Sequence, residues 1–494
     1  MTTPHALYPT LRSPIRRVLL IAPAGKITLT KEGSRERKLA VPPLGLAYLA
    51  AQLQLLDVQV EILDALIEGY QQERVVGRTI YYGLDDAAIR RKLEAYKPDM
   101  IGISCPFSNR AQDVLKLAKM AKQTCPEAHL VMGGQHPSGM PEMVLDPHVD
   151  YLLFGESDLA LPRLIRAING GHPLDRVGQL IYKTTAGFHQ VEDYQPPLVE
   201  DLPWPAWDKV DLQRYWQAGL ADYEVHEGEK RFMIMLTSRG CPHNCGFCTA
   251  PMTSRRHYRL REIDDVMAEI HHNRARYNPD EIHFWDDNFF IHRKRVKTLL
   301  RRVIRETPDL RYQVPSGGEV NAFDDEMIEL MAEAGFNKIF LAVESANAEV
   351  QDRMVAKRVN LDRIEKIVEK CQKAGLITEG VFMVGFPGET KEQIDHTFQR
   401  ATQYGFDRLS FSIVNPLPGT ALYRQCLEEK LFHDDFDGFD IRWSKENIRL
   451  EGVERGYIAR RRREVWQDYM SKRIDIQQYE RQNTKRHRIF GDDV

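Results

Sequence analysis

The sequence has few cysteines, almost no net charge and no long apolar run, and each shortage excludes a class of protein. Seven cysteines in 494 residues are too few, and odd in number, for the disulfide framework of a small secreted domain. A net charge of -3 gives no overall attraction to nucleic acid or to an anionic membrane. No run of about 18 apolar residues is present, so no membrane-spanning helix is expected. We therefore expect a protein that binds neither nucleic acid nor membrane.

The first twenty residues place basic side chains just before a short predicted strand, which differs from the pattern of a secretory leader. We expect a cytoplasmic protein on this basis. The length of 494 residues is too great for one ordinary core and predicts roughly two to four domains.

Three of the seven cysteines lie within eight residues, and this loop is the most informative part of the chain for function. They are Cys241, Cys245 and Cys248. A cube of four irons needs four ligands, so three thiolates hold three irons and leave the fourth open to a substrate or cofactor. Gly240 and Gly246 let the backbone approach inorganic sulfide closely. The spacing predicts a 4Fe-4S cluster with one open iron.

A zinc site is the alternative interpretation of the same loop. His243 or His257 could supply a fourth zinc ligand. The usual zinc pattern, however, consists of two separated pairs of cysteines or histidines rather than one asymmetric triplet. The triplet therefore favours the iron-sulfur cluster.

Short apolar strands alternate with helical stretches between residues 16 and 160, which is typical of a parallel sheet covered by helices on both faces. Strands are predicted at 18–22, 58–63, 100–104, 130–132 and 151–154. Five such strands predict a doubly wound, Rossmann-like α/β domain. Ligands in such folds bind beyond the carboxyl ends of the strands, which points to residues such as Asp64, Ser104, Gly133 and Gly134.

The same rhythm returns in the second half of the chain. Strands are predicted at 234–236, 281–285, 312–315, 338–343, 380–384 and 409–414. Six strand-helix units in about 200 residues predict a partial (β/α)6 barrel, because a closed barrel of eight units usually takes about 250.

The predicted domain organisation has four parts. Residues 1–190 form the doubly wound domain, and residues 226–430 form the partial barrel. Residues 191–225 form a linker rich in proline and tryptophan, which we expect to contain no regular helix or strand. Residues 431–494 form a helical, basic C-terminal region.

The cysteine loop, placed after the first strand of a six-unit partial barrel, resembles that of the radical SAM superfamily. The superfamily's Cys-x-x-x-Cys-x-aromatic-Cys pattern is complete, with Phe247 as the aromatic residue. The resemblance implies a 4Fe-4S cluster and S-adenosylmethionine. It further implies that Asp286 and Asp287 lie near the amino group of S-adenosylmethionine, Glu344 near its ribose, and the loop beginning at Gly385 near its adenine.

The resemblance also implies a reaction. An electron from an external donor such as flavodoxin or ferredoxin enters a carbon-sulfur bond of S-adenosylmethionine through the cluster. Methionine and a 5′-deoxyadenosyl radical are released. The protein itself binds, orients and shields these groups.

The first half resembles the cobalamin-binding domain that precedes the barrel in one large branch of this superfamily. The resemblance rests on residues 41–50, on Ser104 and on the Gly133-Gly134 loop. The histidine motif that supplies a lower axial cobalt ligand in cobalamin methyltransferases is absent, because residues 22–26 read Ala-Pro-Ala-Gly-Lys. The resemblance therefore implies cobalamin without a histidine below cobalt. A flavodoxin-like nucleotide or structural domain is the alternative.

Residues 82–86, 102–104 and 107–109 look like those of a phosphonate C-methylase. The resemblance implies a C-methyltransferase that acts on an unactivated carbon of a small molecule, with methylcobalamin presented to a substrate radical. Two alternatives remain. One is a cyclase or rearrangement enzyme that uses both cofactors without net methyl transfer. The other is a cobalamin sensor whose cluster is only structural.

Overall fold

The computed structural model describes residues 14–29, 38, 40–218, 231–355, 359–442 and 444–473. The chain divides into two compact units. The N-terminal unit contains the described parts of 1–29, 38–218 and 252–255, and the C-terminal unit contains the described remainder. Within the described residues, no helix has the length and apolar character needed to cross a membrane.

The N-terminal unit alternates strands and helices. In chain order these are β1 (Arg17–Ala22), β2 (Gly25–Thr28), α1 (Leu44–Gln54), β3 (Gln59–Asp64), α2 (Ala65–Glu68), β4 (Glu73–Val76), β5 (Thr79–Tyr82), α3 (Asp86–Tyr96), β6 (Met100–Ser104), α4 (Ala111–Thr124), β7 (His129–Gly133), α5 (Gln135–Gly139), β8 (Tyr151–Leu153), α6 (Ala160–Gly170), β9 (Leu180–Thr184), β10 (Gly187–Val191) and α7 (Leu212–Gln217).

The main sheet of this unit has seven strands in the order β10-β9-β8-β7-β6-β1-β3. The five strands from β8 to β3 are parallel, and β9 and β10 extend the sheet antiparallel. Among the parallel strands, the chain order is 2-1-3-4-5, which is the flavodoxin-like form of the doubly wound fold. The predicted fold class is confirmed. The switch point of this topology lies between β1 and β6, where ligands bind in such folds.

Apolar residues of the strands and of the covering helices explain why helices pack on the sheet. Strand β6 is buried almost throughout, as expected of a parallel strand between two helical layers. Helix α4 buries Val114, Leu117, Ala118 and Ala121. Their spacing of three and four residues places them on one side of the helix, which therefore packs against the sheet.

The five strands predicted in this half are all present, with ends that differ by at most one residue. Two of the strands that the sequence did not predict, β4 and β10, are exposed. Strand β4 is exposed at all four residues, and β10 is exposed at four of five. These strands pair locally, in the small sheet β2-β5-β4 and beside β9, so no apolar alternation marks them.

The expectation that 191–225 contains no regular helix is wrong at α7. The prolines of this stretch end at Pro205, so nothing in the backbone opposes a helix farther on. Asp211 caps the helix by accepting a hydrogen bond from the Arg214 backbone N–H at 3.3 Å. Leu212 and Tyr215 are buried. Residues 191–218 belong to the N-terminal unit, and residues 219–225 lie outside the described residues.

The C-terminal unit repeats the strand-helix pattern. In chain order its elements are β11 (Phe232–Met235), β12 (Ser238–Arg239), α8 (Ala250–Ser254, of which 252–254 group with the N-terminal unit), β13 (Arg259–Leu260), α9 (Ile263–Tyr277), β14 (Glu281–Phe284), α10 (Arg293–Glu306), β15 (Arg311–Gln313), β16 (Gly318–Glu319), α11 (Asp325–Glu333), β17 (Lys338–Glu344), α12 (Ala348–Val350), α13 (Ile364–Lys373), β18 (Ile377–Val384), α14 (Lys391–Gln403), β19 (Arg408–Ile413), α15 (Ala421–Glu428) and α16 (Tyr457–Arg473).

The strands form two parallel sheets, β11-β14-β15 and β16-β17-β18-β19. A parallel bridge between Tyr312 and Phe336 lies just beyond β15 and just before β17. The six longer strands are those predicted from the sequence. The predicted partial barrel is confirmed.

The C-terminal region is less regular than predicted. Residues 431–456 contain no helix among those that the structure describes, and an antiparallel bridge joins Phe432 to Ile448. Helix α16 then covers residues 457–473. The last 21 residues of the predicted helical region, 474–494, lie outside the described part of the chain.

Candidate functional site

The three cysteines lie on a loop that follows β12. Gly240 opens the loop with a φ of 82°, a left-handed conformation that favours glycine. The Cys248 N–H donates to the Cys245 carbonyl at 3.1 Å, which closes a turn. The Ala250 N–H lies 3.5 Å from the Cys248 sulfur. An N–H directed at sulfur stabilises a thiolate, so the loop suits metal binding.

The groups that act electrostatically on Cys241 include a second thiol of the same loop. Burial raises the pKa of Cys241, and the Cys248 thiol and Asp287 act in the same direction. The His243 N–H and the Asn288 side chain oppose this rise. Among the described residues, no three His, Cys, Asp or Glu side chains are placed to hold a single metal ion. A 4Fe-4S cube distributes its ligands over separate irons, so its thiolates do not converge on one point. The donor set fits such a cluster.

Asp286 anchors the segment that leads into the cysteine loop. Its carboxylate is fully buried and accepts hydrogen bonds from the Thr237 N–H at 3.1 Å, the Thr237 hydroxyl at 2.9 Å and the Ser238 hydroxyl. Burial raises the pKa of Asp286, and these hydrogen bonds lower it in part. The structure therefore places Asp286 as a brace of the loop. Its contact with S-adenosylmethionine stays a prediction.

The two residues after Asp286 also face the cysteine loop. Asp287 is exposed and accepts a hydrogen bond from the Gly240 N–H at 3.1 Å. The Asn288 amide donates to Glu319 at 2.9 Å. Glu319 also forms an ion pair with His243, one of the two histidines considered as a zinc ligand. The Asp-Asp-Asn segment thus stabilises the cysteine loop through hydrogen bonds, directly from Asp286 and Asp287 and through Glu319 from Asn288.

Glu344 ends β17 at a bulge, where its φ of 65° is unusual for a residue with a side chain. A left-handed conformation costs such a residue about 1–2 kcal/mol. The cost is offset locally, because the buried Gln351 amide donates to the carbonyls of Val343 and Ser345, the latter at 2.6 Å. The bulge breaks the strand alternation and redirects a buried carboxylate at the carboxyl end of the barrel. Strain of this kind is concentrated at functional sites.

The loop after β18 is organised by a buried carboxylate. Gly385 has a φ of 93°, and its N–H donates to Glu389 at 2.7 Å. The Phe386 N–H donates to the same oxygen at 2.9 Å. The other Glu389 oxygen is buried without a hydrogen-bond partner among the described residues. The Phe386 ring contacts Phe247 of the cysteine loop edge-on, with centroids 5.8 Å apart. The two loops therefore form one packed surface.

Glu389→Gln is expected to remove a pH dependence of stability. Burial raises the pKa of Glu389 from 4.5 to about 7, against two backbone hydrogen bonds that lower it. The folded protein thus holds this proton to higher pH than the unfolded chain. The group's contribution to the free energy of unfolding is full below pH 4.5 and falls, by on the order of 3 kcal/mol, as the pH rises to 7. Urea unfolding at pH 5 and pH 7.5 should show glutamine gaining stability relative to glutamate at the higher pH. An equal difference at both pH values contradicts the expectation.

The structure adds polar residues inside the barrel that the sequence did not identify as site residues. Ile282 and Phe284 of β14 belong to the main apolar core, so alternation turns Glu281 and His283 to the opposite face. The buried Glu281 carboxylate is 3.2 Å from the His283 ring and accepts a hydrogen bond from the Gln313 amide at 3.1 Å. The polar alternation in Glu-Ile-His-Phe was the available signal.

Two buried polar atoms on this inner face lack a hydrogen-bond partner among the described residues. They are the Trp285 indole nitrogen and the Gln313 carbonyl oxygen. The first can donate and the second can accept a hydrogen bond. A buried polar group without a partner is costly, so such groups in a native protein need an explanation. A bound molecule with both kinds of polar group would satisfy them.

In the N-terminal unit, Ser104 and Gly133 lie side by side as register partners at the ends of β6 and β7. Gly134 has a φ of 121°, and a Cβ there would lie 2.7 Å from the Cys105 carbonyl oxygen. The protein's own backbone therefore requires glycine at 134. A Cβ at Gly133 would make only ordinary contacts at 3.4 Å. Ser104 lies beside the switch point and Gly133 and Gly134 lie one strand farther along the sheet, and their contact with cobalamin stays a prediction.

The loops around this switch point are tied together by buried polar groups. Arg110, just after β6, donates to the Ala24 carbonyl just after β1. Burial lowers the pKa of His136 to about 4, and the neutral ring lies 3.0 Å from the Ser108 hydroxyl. At the end of β3, Asp64 accepts a hydrogen bond from the Tyr215 hydroxyl at 2.5 Å. Hydrogen-bonded polar groups thus lie beyond the carboxyl ends of four strands, β3, β1, β6 and β7.

Two domain families match the chain. Residues 34–165 match the B12 binding domain, and residues 235–401 match the radical SAM superfamily. The chain is therefore a cobalamin-dependent radical SAM enzyme, with a 4Fe-4S cluster, S-adenosylmethionine and cobalamin as its cofactors.

Three known proteins are similar to this chain along most of its length. The chain is 28% identical over 443 residues to the cytidylyl-2-hydroxyethylphosphonate methyltransferase of Streptomyces wedmorensis, covering 83% of this chain and 82% of that protein. It is 25% identical to the anaerobic magnesium-protoporphyrin IX monomethyl ester cyclase of Rubrivivax gelatinosus, covering 81% and 69%. The structure of the radical S-adenosylmethionine methyltransferase TsrM from Kitasatospora setae has a TM-score of 0.67 and 21% identity, covering 84% and 76%. This last likeness concerns the fold.

Proposed function

We propose that the protein methylates an unactivated carbon of a small molecule. The two domain families and the methyltransferase relative, which matches along most of both chains, support this reaction. When bound, the cluster and S-adenosylmethionine supply a radical that removes hydrogen, and cobalamin supplies a methyl group. The proposal depends on one observation, the loop of three thiols whose first residues are held by Asp286. Three thiolates suffice for a 4Fe-4S cluster with one open iron, so no fourth protein ligand is needed.

The residues of the C-terminal unit have separate tasks in this reaction. Cys241, Cys245 and Cys248 hold the cluster, and Asp286 keeps their loop in place. The strained Glu344 and the Gly385 loop bind the nucleoside part of S-adenosylmethionine.

The polar lining of the barrel orients the substrate. Trp285 donates a hydrogen bond to it, and Gln313 accepts one from it. This arrangement suits a substrate with polar groups, such as the phosphonate nucleotide that names the methyltransferase relative. An electron-carrier protein in the cytoplasm supplies the electrons.

Overall, one substrate C–H bond is replaced by a C–CH3 bond. Two molecules of S-adenosylmethionine and two electrons are consumed. One molecule yields S-adenosylhomocysteine after giving its methyl group, and the other yields methionine and 5′-deoxyadenosine after taking up the substrate hydrogen. The two by-products therefore form in equal amounts when methylation is coupled.

The experiment uses anaerobically reconstituted enzyme with hydroxocobalamin, a chemical reductant and cytidylyl-2-hydroxyethylphosphonate as the first substrate probe. We expect both S-adenosylhomocysteine and 5′-deoxyadenosine, the first even without substrate because the methyl group is transferred to the cofactor. Methylated product should be about 14 Da heavier. Formation of 5′-deoxyadenosine without any S-adenosylhomocysteine contradicts the proposal and favours a cyclase of the kind named among the relatives.

A further inference from the structure

Helix α10 carries an unusual concentration of positive charge for a protein whose net charge is -3. Its sequence, RKRVKTLLRRVIRE, has seven basic residues and one acidic residue. Three of the basic residues, Arg293, Lys294 and Arg295, occupy its first turn, where the helix dipole is already positive. Basic residues at this end destabilise a helix by about 0.3–1 kcal/mol each. Helix stability therefore does not explain the presence of Arg293 and Lys294 in this turn.

The exposed side of this helix lines a cleft of about 390 Å³ together with the start of α11. Four basic residues face two acidic ones there, and the acidic residues are Asp324 and Glu326. Lys297 pairs with both of them, at 2.8 Å and 2.7 Å. Within the described residues, Arg293 and Lys294 are exposed and have no carboxylate at ion-pair distance. We call Arg293, Lys294, Lys297 and Arg301 the α10 patch.

The α10 patch begins next to a residue that is bonded to the base of the cysteine loop. The Arg295 guanidinium donates to the Thr237 carbonyl at 3.1 Å and to the Arg261 carbonyl. Thr237 precedes Cys241 by four residues, so their Cα atoms are at most roughly 14 Å apart along an extended chain. The first turn of α10, in which the patch begins, therefore contacts the segment that leads into the cysteine loop.

We propose that the α10 patch docks an acidic one-electron carrier protein that reduces the cluster. The proposal deepens the proposed function, since the reaction consumes electrons that the chain itself does not supply. In the docking step one electron leaves the reduced flavin or iron-sulfur centre of the carrier, and the cluster gains that electron. No bond forms or breaks. Positive charge concentrated on one face raises the association rate of an acidic partner and makes that rate sensitive to salt.

The test uses the full-length, reconstituted enzyme and an acidic flavodoxin as the probe. The variant carries Arg293→Glu and Lys294→Glu, which should leave the fold intact because acidic residues suit the first turn of a helix. A matched control reverses Arg90 and Arg91, two adjacent exposed arginines on α3 of the N-terminal unit. Binding of oxidised flavodoxin is measured by calorimetry. Reduction of the cluster by photoreduced flavodoxin or by dithionite is followed by absorbance and by electron paramagnetic resonance.

The patch variant should bind flavodoxin at least about tenfold more weakly and be reduced by it at least about tenfold more slowly at low salt. Its reduction by dithionite should be unchanged, and the control should behave like the parent protein. Flavodoxin binding that is equal in both variants overturns the proposal. The proposal is also overturned if the patch residues bind inorganic phosphate and their reversal leaves flavodoxin binding unchanged. Neither readout requires methyl transfer, so a failure of the proposed reaction is seen separately.

Discussion

Cys245→Ala is expected to eliminate the iron-sulfur cluster and, with it, every cleavage of S-adenosylmethionine. Cys245 is the most buried of the three loop cysteines, and its carbonyl closes the turn with the Cys248 N–H. Two remaining thiolates leave two irons of a cube without a protein ligand, so the cluster should be lost or degraded. Iron and sulfide content, brown colour and the paramagnetic signal of the reduced cluster should all fall to background. Formation of 5′-deoxyadenosine should fall with them.

Cys125→Ala is the matched control for this substitution. Cys125 is half-buried at the end of α4 in the N-terminal unit, far along the chain from the loop. Its replacement should leave iron, sulfide and S-adenosylmethionine cleavage at parent values. The cluster assignment is wrong if the Cys245 variant retains a full complement of iron and the same paramagnetic signal.

Among substitutions near the site that keep all three cysteines, Asp286→Ala should be the most destabilising. The substitution leaves the buried Thr237 N–H and the hydroxyls of Thr237 and Ser238 without their acceptor. A buried donor without a partner costs about 1–3 kcal/mol, and removal of one member of a buried charged network costs about 3–5 kcal/mol. We therefore expect a loss of about 3 kcal/mol or more in the free energy of unfolding. Urea unfolding under anaerobic conditions measures it.

The adjacent carboxylate provides the comparison. Asp287→Ala removes an exposed carboxylate that accepts a backbone hydrogen bond from Gly240, and should cost about 1 kcal/mol or less. If Asp286→Ala is no more destabilising than Asp287→Ala, the bracing role of the buried carboxylate is wrong. Iron content after reconstitution should decrease in the same order, since both carboxylates support the cysteine loop.

Most of the architecture could be predicted from the sequence because buried parallel strands are apolar throughout. Strand β6 was predicted with its exact ends, and β1 and β3 within one residue. The cysteine loop was predictable for a different reason, since the spacing of its ligands is set by the geometry of the cluster. The exposed strands β4 and β10 carry neither signal, so local pairing alone reveals them.

The parts of the site that escaped prediction depend on contacts between distant residues. The left-handed Glu344 depends on hydrogen bonds from Gln351, and no local pattern encodes the bulge. Gln313 becomes a site residue only because β15 pairs with β14 and brings its amide to Glu281. The contacts of Asp286 with Thr237 and Ser238 were likewise not predicted, and its contact with S-adenosylmethionine stays a prediction.

The edge-on contact between Phe247 and Phe386 couples two properties that an experimenter would otherwise score independently. A substitution that shifts either ring changes the shape of the cysteine loop and of the Gly385 loop together. Loss of colour in a library of variants will therefore not identify a defect in iron retention by itself. Variants in either loop must be ranked by iron retention and by S-adenosylmethionine affinity measured side by side.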